Sequence, residues 1–209
     1  MRLTIYSSKG GVGKTPLSIL FAVDKGFAVG CNESTDIYSG YLDEDMYLLH
    51  ELDEEFPLIP DDIDIVFDMA GTLSKYDHAL VSAIRQSDIV IVPIWNNVNS
   101  IKLGKNTIRA IADISKRIIV VATKLERTAK ERGISWEETA DFRAVNEAVA
   151  DVNPSIRVLP LKFSKVYDRI CKEFTSFHKL SEASAMFKSG QKEMLIQIED
   201  IYKEVGCHV

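Results

Sequence analysis

Residues 3–16 read Leu3-Thr4-Ile5-Tyr6-Ser7-Ser8-Lys9-Gly10-Gly11-Val12-Gly13-Lys14-Thr15-Pro16. Leu3–Tyr6 has the look of a short buried strand. A glycine-rich loop, Ser7–Gly13, follows it, and a helix is expected from near Lys14 to near Gly26, whose missing side chain suits a helix terminus. Strand, glycine loop, then helix is the setting in which such a loop cradles phosphate. Glycines let the backbone turn sharply and approach phosphate oxygens. Exposed N–H groups and the positive end of the helix attract anions. Lys14 has the reach for β- and γ-phosphates, and the Thr15 hydroxyl can ligate Mg²⁺.

Fifty residues on, Ile63-Asp64-Ile65-Val66-Phe67-Asp68-Met69-Ala70-Gly71 is an apolar strand that ends in Asp-x-x-Gly. A carboxylate at a strand end beside a phosphate loop can hold a magnesium-bound water, so Asp68 and Thr15 are the candidate metal residues. Gly71 can present an N–H to a γ-phosphate. Further strands are predicted at Phe27–Cys31, Ile89–Pro93, Ile118–Ala122 and Arg157–Leu161. Helices are predicted at Tyr41 to about Glu55, Tyr76–Arg85, Ser100–Ile114 and Trp136–Ala150. Two or three more close the chain, the last at Lys192–Val205. This alternation predicts an α/β fold, a mainly parallel sheet with helices on both faces, in a single domain over residues 1–209.

The segment Lys9-Gly10-Gly11-Val12-Gly13-Lys14-Thr15 resembles the deviant Walker A motif of the ParA/MinD ATPases. The resemblance implies a P-loop NTPase fold, ATP or ADP with Mg²⁺, slow hydrolysis, and a homodimer when ATP is bound. In that family the early lysine reaches across the dimer interface to the partner's nucleotide, and Lys9 is the matching residue. Lys14 matches the ordinary Walker lysine and Thr15 the magnesium-binding hydroxyl. Asp68–Gly71 resembles the Walker B and switch II segment. Pro93 and Ser100 match the strand and start of the interface helix.

The chain departs from the family at two places. Pro16 stands where the family has Thr or Ser. Proline suits the first turn of a helix, but it removes an N–H and a hydroxyl near the α-phosphate, which predicts weaker affinity or a lower rate. Where the family's second strand ends in Asp-x-Asp-Pro, this chain has Cys31-Asn32-Glu33-Ser34-Thr35-Asp36. Glu33 and Asp36 are both candidates for the carboxylate that positions attacking water. By position, Thr123 and Lys124 in one loop and Pro160, Leu161 and Lys162 in another are candidates for the base pocket. Thr123-Lys124-Leu125-Glu126 nearly forms a guanine motif but ends in Glu, which favours ATP over GTP.

The 209 residues carry a formal charge of −6, with 46% apolar and 27% charged residues. These fractions describe a folded chain able to bury a core and exclude wholesale disorder. No apolar run approaches the roughly 18 residues of a membrane span. Three scattered cysteines fit a reduced cytoplasmic setting and argue against zinc. The charge is polarised. Residues Glu33 to Asp68 hold 13 acidic residues and no Lys or Arg, whereas Lys102 to Arg132 holds nine basic residues and three acidic ones. A contiguous basic face there would bind DNA backbone without reading sequence. With the family role, this points to plasmid or chromosome partition with a ParB-like adaptor protein. The rival readings are a MinD-like positioning ATPase at a membrane, a metabolic P-loop ligase, and a non-hydrolysing nucleotide-binding module. The C-terminal apolar stripe from Leu195 to Val205 is not cationic enough for anionic lipid, which favours core packing over a membrane helix. Ligases of this fold usually lack the early lysine.

Overall fold

The computed structural model describes residues 1–32, 37–71 and 77–207. Its centre is an entirely parallel sheet. The strands among the described residues are β1 (Arg2–Ile5), β2 (Ala28–Cys31), β3 (Tyr47–Leu49), β4 (Ile65–Asp68), β5 (Ile89–Trp95), β6 (Ile118–Leu125) and β7 (Arg157–Lys162). Their order across the sheet is β3-β2-β4-β1-β5-β6-β7. β1 lies between β4 and β5, at the point where the chain stops adding strands on one side and starts on the other. Open parallel sheets bind ligands at such a point, beyond the carboxyl ends of the strands.

The sheet is buried on both faces because its strands alternate apolar residues to both sides. Along β5, Ile89 and Ile91 join one core, and Val90 and Val92 join the other. The first core is covered by α1 (Lys14–Lys25), α5 (Val166–Glu173), α6 (Phe177–Ala183) and α8 (Lys192–Val205), the second by α2 (His78–Gln86), α3 (Val98–Ile111) and α4 (Ala140–Ala150). A short α7 (Ala185–Gly190) links α6 to α8. Gly26, with φ 69°, ends α1 by donating its N–H to the carbonyls of Ala22 and Phe21. The stripe on α8 faces inward, with Met194, Ile198, Ile201, Tyr202 and Val205 all buried. Among the described residues no helix is long and apolar enough to cross a membrane.

Two predicted helices need correction. Tyr41 to Glu55 is not a helix. It forms a single 3₁₀ turn at Glu44–Met46 and then β3, which pairs with the open edge of β2. Leu48, Leu49, Leu52 and Phe56 have helical spacing, but Phe56 packs on Phe67 at 4.9 Å while Leu49 and Leu52 stay exposed. A helix there would also stack like charges from Asp43 to Glu55 one turn apart, which is unfavourable. Trp136–Ala150 splits into a 3₁₀ turn, Trp136–Glu138, and α4. Thr139 separates them, its hydroxyl donating to the Trp136 carbonyl at 2.7 Å and accepting the Phe142 N–H at 3.3 Å.

A buried polar cluster pins the closing helices to α1. Asp24 accepts hydrogen bonds from Tyr202 Oη at 2.7 Å and from Ser176 Oγ, and it pairs with His178 Nδ1 at 2.8 Å. His178 Nε2 lies 2.9 Å from Glu199. The hydrogen bond to Asp24, then the charges of Asp24 and Glu199, hold the His178 pKa above its ordinary value against the opposing effect of burial. Burial alone would raise the Asp24 pKa, but the three side-chain donors hold it below the carboxylate range. Protonated His178 therefore stabilises the fold fully below about pH 6.5, the ordinary histidine value, and this contribution is lost as pH rises through the higher folded-state value. Asp24 contributes above about pH 4 and loses its contribution as pH falls through its lowered value. Melting curves of wild type and His178→Gln should differ most between about pH 5 and 6.5, and the difference should shrink steadily at higher pH.

Candidate nucleotide-binding site

The loop between β1 and α1 takes the shape its glycines permit. Gly11 and Gly13 have φ of 71° and 97°, in the left-handed region closed to most side chains. Lys14 opens α1 and is 7% exposed. Among the described residues no carboxylate comes within ion-pairing distance of its ammonium. A buried cation without a counter-charge costs several kcal/mol, so this position is built for an anion that arrives from outside.

The segment Asp68–Gly71 lies directly on this loop. A Cβ placed on Gly71 would stand 3.5 Å from Lys14 Nζ, 3.4 Å from the Ser7 carbonyl oxygen and 3.6 Å from the Gly10 nitrogen. Position 71 is thus in contact range of both the loop backbone and the lysine. β4 brings the segment there by pairing with β1, Ile5 opposite Asp68, and the Met69 N–H continues the ladder to the Ile5 carbonyl at 3.2 Å. Asn32, at the end of β2, accepts the Ala70 N–H at 2.7 Å. Asp68 is 6% exposed and accepts the Tyr38 hydroxyl at 2.6 Å. Burial, then the neighbouring Asp68 charge, pushes the Tyr38 phenol well above its ordinary range, so it stays a donor.

The loop is anchored from behind by residues that carry no motif. The Ser8 N–H donates to Thr107 Oγ1 at 3.2 Å, and its hydroxyl reaches Thr107 Oγ1 at 3.0 Å and the Leu103 carbonyl at 3.4 Å. These bonds tie the loop to α3. On the other side the Thr123 hydroxyl donates to the Val12 carbonyl at 2.9 Å. Thr123 and Lys124 form a bulge in β6, where the pairing with β7 shifts register, and Lys124 has a positive φ of 55°. Bulges re-aim side chains. This one turns Thr123 onto the loop and sets the Lys124 ammonium 5.2 Å from the Trp95 ring centre.

A cavity of about 580 Å³ opens beside the loop. Gly11, Val12, Gly13 and Pro16 form its loop side, Thr123, Lys124 and Leu161 its floor, and Ile37, Phe163, Tyr167, Asp168 and Lys172 its far wall. Cys171 also lines it, but burial pushes its thiol up to about 11, so it presents a neutral thiol there. The cavity is the right size for a nucleoside. Of the residues predicted from sequence, Lys14, Gly10, Gly11, Val12, Gly13, Thr15, Pro16, Asp68, Gly71, Thr123 and Lys124 come together here. Thr15 is half-buried, and its hydroxyl takes no protein partner among the described residues. Lys9 is half-buried at the loop's start, and its ammonium makes no ion pair among the described residues. Pro160 sits inside β7 opposite Ala122, buried behind the cavity wall, and Lys162 pairs with Glu193 at 3.6 Å. Glu33 and Asp36 lie outside the described residues. The wall after β7, Asn32, Tyr38 and the Ser8–Thr107 anchor have no spacing signal that a sequence reading could have used.

The residues present fit a magnesium nucleotide, on two observations of this structure: the buried Lys14 ammonium, unpaired among the described residues, and the approach of Gly71 to that ammonium and to the loop backbone. Lys14 would hold phosphate oxygens, and Thr15 and Asp68 would hold the ion, directly and through water.

No protein-family model matches the chain, and no curated protein matches it. Its fold is nevertheless well represented among solved structures. A McdA variant from Cyanothece in complex with ATP is 13% identical, with a TM-score of 0.62 over 100% of this chain and 98% of that one. The septum site-determining protein MinD from Pyrococcus horikoshii, complexed with Mg-ADP, is 12% identical, with a TM-score of 0.60 over 98% and 96%. A plasmid partition protein from Borrelia burgdorferi bound to AMPPNP is 14% identical, with a TM-score of 0.56 over 97% and 98%. The chain has the P-loop NTPase fold. Within that class, it is similar to ATPases of the ParA/MinD group along almost its full length.

The uncompensated Lys14 charge yields a two-sided expectation. Lys14→Met should leave the ligand-free melting temperature unchanged or raise it, because it removes a buried charge that has no partner among the described residues. It should also abolish stabilisation by MgADP. In wild type, ADP at a hundredfold excess over its Kd adds about 2.7 kcal/mol, or roughly 5–10 °C in a chain of this size.

Proposed function

We propose that the chain is a single-domain ParA/MinD-type ATPase, a switch that dimerises on Mg-ATP and is released by slow hydrolysis. The observation that carries this reading is the pair of lysines in one loop. Lys14 is buried beside Gly71 with no carboxylate partner among the described residues, and half-buried Lys9 makes no ion pair among them. The first suits the chain's own phosphates, and the second leaves a cation for those of a facing subunit.

In this reading the bound magnesium supplies charge neutralisation at the phosphates, and the chain does the rest. Loop N–H groups and Lys14 orient the phosphates, the Gly71 N–H contacts the γ-phosphate, and the cavity under Phe163 and Tyr167 holds the base. Glu33 or Asp36 positions attacking water. Pro16, at the third position of α1, keeps the helix but offers no N–H, which favours a weak or slow site. The nucleotides in the similar structures, ATP, Mg-ADP and AMPPNP, support adenine over guanine.

Partition of DNA with an adaptor is the cellular role we favour, in the cytoplasm and on the nucleoid. The basic segment supports it in a narrower form than its sequence suggests. Lys105 pairs with Asp151, Lys116 with Asp88, Arg117 with Glu204 and Arg127 with Glu193. Exposed Lys102 and Arg109, with half-buried Lys105 between them, form one stripe along α3. That stripe is the candidate surface for phosphate backbone.

Two measurements test this function. By sedimentation, a slowly hydrolysed ATP analogue with Mg²⁺ should double the 23.4 kDa mass, ADP should not, and Lys9→Ala should stay monomeric with nucleotide bound. An unchanged wild-type mass with bound analogue overturns the switch. For DNA, the triple variant K102A/K105A/R109A should lower the slope of log K against log salt by about 0.9 for each phosphate that the variant no longer neutralises.

A further inference from the structure

Ile37 and Tyr38 are neighbours in the chain that serve opposite ends of the site. Ile37 lines the base-side cavity, and the Tyr38 hydroxyl donates to Asp68 Oδ2 at 2.6 Å. Tyr38 is 2% exposed and held on several sides. Its ring packs edge-on against Phe174 at 6.0 Å and is tilted against Tyr47 at 6.1 Å. Phe174 caps α5 in a left-handed conformation, φ 44° and ψ 62°, and Tyr41 stacks flat on it at 5.1 Å. Tyr41 is itself fixed, its hydroxyl donating to the Lys172 carbonyl at 2.7 Å. The phenol that touches Asp68 thus belongs to an aromatic clamp closed on α5, the helix that walls the cavity.

We propose that Tyr38 is a positioning residue for the magnesium carboxylate. Its hydroxyl fixes the orientation of Asp68, so that the carboxylate meets a metal-bound water without first having to be ordered. The clamp gives the phenol a rigid base, Phe174 and Tyr41 on one side and Tyr47 on the other. A buried carboxylate with two oxygens can rotate about its terminal torsion. A donor on one oxygen selects one orientation and leaves the other oxygen's direction defined. Partners of directly coordinating ligands change metal affinity by about 10–100-fold when removed, and a partner acting through a water-linked carboxylate belongs at the low end of that range. The proposal rests on the magnesium-nucleotide reading of the site.

The test is the gain in ADP affinity that magnesium confers, the Kd in EDTA divided by the Kd in Mg²⁺, measured by calorimetry on the full chain. Wild type, Tyr38→Phe and Asp68→Asn are compared, with melting curves as the check of folding. Tyr38→Phe keeps the ring and its packing and removes only the hydroxyl. Expected is a gain reduced about tenfold in Tyr38→Phe, through a weaker Kd in Mg²⁺ with the EDTA value unchanged, and a still lower gain in Asp68→Asn. A fall in affinity equal in EDTA and in Mg²⁺ would show a structural role only and overturn the proposal. A gain that is unchanged or larger in Tyr38→Phe also overturns it, the larger gain marking the hydroxyl as a competitor of the metal. If wild type itself shows no magnesium gain, the magnesium-nucleotide reading fails, and this proposal with it. A wild-type gain that Tyr38→Phe keeps removes the proposal alone.

Discussion

One buried charge organises this molecule. Lys14 begins α1, faces the glycine loop and Gly71, and meets no carboxylate among the described residues. Holding it there is costly, and the loop N–H groups and the helix start beside it do nothing to offset that cost. Those groups are themselves positive in character, so nothing in the loop neutralises the ammonium. The site is therefore stable as a fold and incomplete as an electrostatic unit until an anion enters. Evolution of a tighter ligand-free protein would place an acid here, at the expense of binding.

The rest of the structure holds that geometry in place. A loop with two left-handed glycines has many alternatives open to it, and its shape must be imposed from outside. Ser8 is tied to Thr107 and Leu103 on α3, Val12 to Thr123 on β6, and Met69 to Ile5 through the ladder of β1 and β4. α3 can come this close to β5 because Gly104 lies against Ile94, where a Cβ would fall 2.5 Å from its Cδ1. Each anchor comes from a different strand or helix, so the cradle exists only when the central sheet is assembled.

What could be read in the sequence follows from how local each signal is. The phosphate loop, Asp68 and Gly71 are legible because their chemistry demands residue types at fixed spacing. Strands β5 and β6 are legible because burial on both faces makes them near-continuous apolar runs, and β1 because it leads into the glycine loop. α8 is legible because its stripe is amphipathic over its whole length. The stretch from Tyr41 to Glu55 misleads for a physical reason. Its leucines repeat as in a helix, but the free edge of β2 offers backbone partners that no periodicity records, and Phe56 is drawn into the core beside Phe67. The cavity wall after β7 and the Tyr38–Asp68 hydrogen bond depend on residues distant in the chain meeting in space. The basic run between Lys102 and Arg132 also misleads in one dimension. Its acidic partners, Asp88, Asp151, Glu193 and Glu204, lie outside the run and become neighbours only on folding.

That neutralisation sharpens the question of how nucleotide and polyanion would be coupled in the proposed switch. Two ligands influence one another only through an element whose equilibrium both of them bias. α3 carries both Lys102 and Arg109 of the basic stripe, which make no ion pair among the described residues, and the anchor of the phosphate loop, at Leu103 and Thr107. The two sets of residues interleave on one helix. The anchors point to the loop and the stripe points to solvent, so a small rotation of α3 that relaxed the Ser8 bonds would also re-aim the stripe. In this geometry the phosphate loop and the basic stripe need no long pathway between them, because one helix both anchors the loop and carries the stripe.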